Sequence, residues 1–285
     1  MRPLSLWLLL VATYAVAASH APACTIPVYR YALERWDLGL YDALVFHRGA
    51  LPEGLAAEIQ RWQQPGVANI ALTTVDVDAK MSPELETLWQ EARDKATLPW
   101  LILRPPGTEA KRHSAWSGPA TPDNLAALVD SPARQRLVKS LSSGETAAFV
   151  LLTSGNSEAD QAAERIVGAE LEKLEKGLKL PVQSTSGPQL RLSLPLQVRF
   201  TLVTVPRATA AEEPFVRMLL ATEAGLERVK GPIVFPVFGR GRALGSLFGD
   251  DINAGSVFQV AHFLCKECSC QLKDLNPGTD LLIKA

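Results

Sequence analysis

The sequence predicts an α/β protein made of two consecutive modules, each a mixed sheet flanked by helices. Three observations carry this. Short apolar runs of strand length alternate with longer stretches whose apolar residues fall at helical spacing. The order strand, helix, strand, helix, strand, turn, strand, helix occurs twice, and such alternation builds sheets layered with helices. The two occurrences meet at Ser142-Ser143-Gly144, a break of small residues. The modules are therefore placed at 24–143 and 144–285, with 1–23 as a leader. What repeats is the order of elements, not the residues.

In the first module, Val28 to Leu33 has an ambiguous period and reads as a strand or a short helix. Ala43 to His47 is an apolar run bounded by Asp42 and Gly49, the pattern of a buried strand. Leu51-Pro52-Glu53 opens a helix through Gln63, with Leu55, Ala56, Ile59 and Trp62 on one face. Asn69 to Val77 is a second strand. Ser82-Pro83 starts a helix through Ala92, with Pro in the first turn, where its missing N–H costs nothing. Leu98 to Leu103 is a third strand and Ser114 to Gly118 a fourth, separated by a charged loop from Pro105 to Arg112. Thr121-Pro122-Asp123 starts a helix that ends near Pro132, and Arg134 to Leu141 forms one more.

The second module begins with the strand Ala147 to Leu152. Asn156-Ser157-Glu158 caps a long helix to Leu178, with Ala162, Ile166, Ala169, Leu174 and Leu178 as its expected apolar stripe. Gln197 to Val205 is a strand, Glu212 to Leu226 a helix, and Gly231 to Phe238 a strand. Gly239-Arg240-Gly241-Arg242 turns into a hairpin partner at Ala243-Leu244, with both arginines solvated. Asp251 to Leu264 is the last helix. Trp36, Trp62, Trp89 and Trp116 stand at element ends, where they fill cores.

Met1-Arg2 is followed by an apolar run from Leu4 to Ala18, then by Ala15-Val16-Ala17 and Ala21-Pro22-Ala23. Charge, apolar run and A-x-A in that order describe a secretory signal peptide. The run is short of the roughly 20 residues a span needs, which weighs against an uncleaved anchor. A lipidated Cys24 is the lesser alternative, because Ala stands at minus three and Pro at minus two. The expected location is exported, periplasmic or extracellular, and the mature chain has no other apolar stretch long enough to span a bilayer. A net charge of -1 gives no broad attraction to nucleic acid. The expected partner is another exported or membrane protein.

Chemistry concentrates at the C-terminal end, in the run His262-Phe263-Leu264-Cys265-Lys266-Glu267-Cys268-Ser269-Cys270. The fourth cysteine is Cys24. Three readings stay open. In an oxidising compartment, Cys24, Cys265, Cys268 and Cys270 form structural disulfides, with Cys24 tied to one member of the cluster. Cys265 and Cys268 have the C-x-x-C spacing of a redox dithiol, with Cys270 resolving. His262 and Cys265 lie three apart on one helical face, and with Cys268 and Cys270 they are a ligand set suited to zinc or copper. No cofactor is otherwise implied. The chain has no G-x-S-x-G or H-E-x-x-H, and Asp76 and Asp78 read as a solvated strand end.

Leu98-Pro99-Trp100 and Gly231-Pro232-Ile233 each place a proline at the entrance to a strand, the second followed by Phe235-Pro236-Val237-Phe238-Gly239. With the element order, this resembles the thioredoxin-like fold over residues 24–285, as two tandem modules. The resemblance implies that Pro99 and Pro232 are cis-prolines. It also implies a C-x-x-C where the first strand meets its helix. Those positions here are His47-Arg48-Gly49-Ala50 and Thr153-Ser154-Gly155-Asn156, without a cysteine. Exchange chemistry at either standard position is thereby excluded. The expected function is binding or scaffolding without catalysis; the alternatives are a thiol–disulfide oxidoreductase or a metal-binding protein.

Overall fold

The computed structural model describes residues 24–64, 66–106, 114–185 and 187–284, and for Cys270 and Asp274 the backbone alone. The expected leader, 1–23, and most of the charged loop after Pro105 lie outside the described residues. The elements in order are α1 (Val28–Arg35), β1 (Tyr41–His47), α2 (Glu53–Trp62), β2 (Ile70–Asp76), α3 (Pro83–Ala92), β3 (Trp100–Arg104), β4 (Trp116–Pro119), α4 (Pro122–Val129), α5 (Pro132–Ser142), β5 (Ala147–Thr153), α6 (Ser157–Gly177), β6 (Phe200–Pro206), α7 (Glu213–Leu220), β7 (Ile233–Phe238), β8 (Arg242–Ala243), β9 (Leu247–Phe248), α8 (Ala254–Cys265), α9 (Cys270–Leu275) and β10 (Thr279–Asp280).

These form two mixed sheets flanked by helices. The first has the order β2-β1-β3-β4; β1 and β2 are parallel, and β3 is antiparallel to both β1 and β4. In the second, β6-β5-β7-β8 repeats that order and those directions, with β10 added beyond β8. Burial follows position in the sheet. Central β5 is buried on both faces and reads as the unbroken run Ala-Ala-Phe-Val-Leu-Leu, whereas edge strand β2 alternates buried and exposed residues.

Helix starts follow local chemistry. Side chains of Ser82, Thr121, Ser131 and Asn156 each accept a hydrogen bond from the amide three residues on, and proline occupies the first turn of α3, α4 and α5. The ambiguous segment at Val28 is a helix. The helix expected to reach Leu226 stops at Leu220 and continues as a turn through Gly225, which holds a φ of 93°. In α6 the buried face is Ala163, Val167, Leu171 and Leu174, one residue round from the expected stripe; Ile166 and Ala169 face outward. Both sets have helical spacing and share Leu174; the one with Ala163, Val167 and Leu171 is turned into the core with Val257 and Leu264 of α8.

The sequence boundary at 143 separates the sheets but not their packing layers. Val28, Tyr29, Ala32 and Trp36 of the α1 region sit in the core beneath the second sheet, with Phe149, Val167, Val257 and Leu264. Ala133, Leu137 and Leu141 of α5 pack on its other face with Phe215 and Leu282. In return, Met218 and Ile283 complete the main core of the first sheet. The C-terminal segment is the join: Leu281 and Leu282 fill one core and Ile283 the other, while the Asn69 amide donates to the Ile283 carbonyl at 2.6 Å.

Candidate functional site

The end of α8, α9 and the segment Lys179–Pro181 enclose an open groove of about 670 Å³. Leu180, Pro181, Leu272 and Leu275 supply its apolar wall, and Lys179, His262, Lys266 and Glu267 its polar one. Two residues singled out from sequence, His262 and Cys265, lie on this groove, because three residues of helix return both to one side.

Their environments set them apart. The His262 ring is exposed and stacks on Phe258, with centroids 5.5 Å apart. Cys265 is 2% exposed. Burial pushes its thiol up to about 12 from an ordinary 9.0, because the thiolate would lose its hydration in the core. Cys268 is buried as well, its sulfur 3.9 Å from the Ser269 carbonyl. An exchanging cysteine needs an accessible, acidified thiol, and Cys265 is buried with its thiol pushed up. Among the described residues, His262, Cys265 and Cys268 do not form a group placed to hold a metal ion. The ring points to solvent and the thiols into the core.

Among the described residues no disulfide is formed, and Cys24 and Cys265 are free thiols. Yet Cys24 does come to the cluster. The chain from Cys24 runs antiparallel to the segment after α8: Pro27 bridges Glu267, the Val28 amide donates to the Lys266 carbonyl, and the Cys268 amide donates to the Ile26 carbonyl, both at 3.0 Å.

Of the two prolines, Leu98–Pro99 is cis, at the entrance to β3. Gly231–Pro232 is trans, the ordinary form. The loops after β1 and β5 are occupied by their own structural bonds. His47 Nδ1 lies 2.8 Å from the Gly49 carbonyl, and Arg48 pairs with Asp78 at the surface. In the second loop, Asp160 accepts from the Ser154 amide and hydroxyl and from the Gly155 amide, closing the turn onto the start of α6. Neither loop carries a cysteine, and the Ser154 hydroxyl is taken up by the turn, donating to Asp160 and accepting from the Asn156 amide.

Sequence reasoning misread Arg242 as a solvated turn residue. It is buried and forms a two-point pair with Asp280, Nε to Oδ1 at 2.9 Å and Nη2 to Oδ2 at 2.7 Å. The signal available was the turn itself: Gly241, with φ 96°, lies so close to Leu282 that no side chain fits, which marks a packed turn and not an exposed one. No protein-family model matches the chain, and no curated protein matches it.

Proposed function

We propose that this chain is an exported, non-enzymatic binding or scaffold protein of tandem thioredoxin-like architecture. The observation that carries the reading is the shared strand order of the two sheets, combined with first-strand loops that hold structural bonds where a catalytic pair would stand. A thioredoxin-like reading also agrees with helices on both faces of each sheet. Fold alone assigns no activity, so the argument rests on the loops and on the buried, protonated Cys265. The partner is another exported or membrane protein, and the groove beside α9 offers a mixed apolar and basic surface.

The test has two arms. Expressed with its own leader, the chain is recovered from the exported fraction with an intact mass that starts after Ala17 or Ala23. The purified protein then leaves the rate of insulin disulfide reduction by dithiothreitol unchanged. A cytoplasmic chain that retains Met1 would overturn the export reading. A rate well above the uncatalysed one would overturn the non-enzymatic reading.

A further inference from the structure

The antiparallel contact between the two ends of the chain assigns partners among the cysteines. Pro27 stands opposite Glu267 and Ile26 opposite Cys268. Three residues back from Pro27 is Cys24; three residues on from Glu267 is Cys270. Ser269 keeps an extended backbone, φ −72° and ψ 162°, and so carries the register as far as Cys270, where α9 begins. On its other side the N-terminal segment is also held: the Thr25 hydroxyl accepts from the Ser184 amide at 2.9 Å, and the Gln183 amide group donates to the Thr25 carbonyl at 2.9 Å. Pinned from both sides, the segment is not free to slip by a residue.

We infer that Cys24 and Cys270 form a disulfide that staples the start of the mature chain to the start of α9. Directly opposed residues of an antiparallel pair have Cα atoms about 4.5–5.5 Å apart, inside the roughly 4.4–6.8 Å that a disulfide bridges. Cys268 sits one step off as a diagonal neighbour of Cys24, at about 7–8 Å, and Cys265 belongs to α8, outside the ladder. The register therefore selects one partner of three. In the reaction, Cys24 and Cys270 lose two protons and two electrons to a disulfide oxidant, which leaves as two thiols. The new S–S bond closes a loop of about 250 residues. In the cell this rests on the export reading, because a disulfide oxidant is at work in that compartment. The staple would hold one wall of the groove, since Lys266, Glu267 and Ser269 line it.

The test is peptide mapping without reduction, on full-length chain blocked with iodoacetamide. It is run on protein recovered after export and on reduced protein re-oxidised with oxidised glutathione. Fragmentation of the cross-linked peptide is expected to place the bond between Cys24 and Cys270. The Cys268→Ser chain should keep the cross-link and the Cys270→Ser chain should lose it. A bond from Cys24 to Cys265 or Cys268, or between Cys268 and Cys270, would overturn the assignment. So would a Cys24 that is alkylated after both treatments. A chain found only in the cytoplasmic fraction, whose purified form still gains the Cys24–Cys270 cross-link with glutathione, would keep the pairing and overturn the export reading.

Discussion

The Tyr41 hydroxyl donates a 2.6 Å hydrogen bond to the main-chain oxygen of Asp280, across 239 residues of sequence. The same aspartate accepts from the Gly39 amide at 2.7 Å and pairs with Arg242. One residue thus joins β1 of the first sheet to β8 of the second. All its partners are buried or half-buried, so each bond is strong and its loss leaves a polar group without water.

Asp280→Ala removes the carboxylate's bonds to the Gly39 amide and to Arg242, keeps the Tyr41 bond to the main-chain oxygen, and leaves the Arg242 charge buried without its partner. The expected cost is about 3–5 kcal/mol. At roughly 2–4 °C per kcal/mol for a chain of this size, thermal unfolding should begin well over 5 °C lower. A shift within 1 °C would remove Asp280 from this role.

Stability is expected to fall on the alkaline side. Burial raises Cys265 from 9.0 to about 12 and Tyr29 from 10.0 to about 12, and pushes Tyr41 up as well. Between the ordinary and raised values the unfolded chain releases protons that the folded chain keeps, so unfolding gains with pH. The stabilisation is complete below pH 9 and is lost progressively towards pH 12. Urea midpoints measured across that range should decline, and in Cys265→Ala the decline should start about one unit later, at the tyrosines.

Glu34→Ala should loosen the segment before β6. Glu34 and Arg30 form an ion pair at 2.7 Å with both side chains fully buried. Glu34 also accepts from the amides of Arg191 and Leu192, while Arg30 donates to the carbonyls of Leu192 and Leu194. The cost is about 3–5 kcal/mol, and amide exchange at 191–194 should rise far above that of β5. Unchanged protection there would show that the pair does not hold the segment.

Leu282→Ala and Leu275→Ala make a matched comparison. Leu282 is 1% exposed, and its truncation should cost about 2–5 kcal/mol by leaving a cavity. Leu275, 73% exposed on the groove, should cost under about 0.5 kcal/mol. Denaturant unfolding of both proteins checks the pair; equal effects would contradict the packing of the C-terminal segment.

What the sequence determined by itself was local. The α/β alternation, the helix starts at Ser82, Thr121 and Asn156, and the turn glycines were legible because each depends on residues within one turn of each other. The missing cysteines at the two strand–helix loops were legible for the same reason. Tertiary structure alone decided that α1 packs under the second sheet, that α6 buries Val167 and not Ile166, and that Cys265 is sealed into the core. It also decided that Arg242 is buried against Asp280 and that Cys24 meets the cluster through the bridge at Pro27. In each case the deciding partner is remote in the chain or the choice lies between two faces of equal spacing. Burial and charge pairing settle such choices only once the layers have closed.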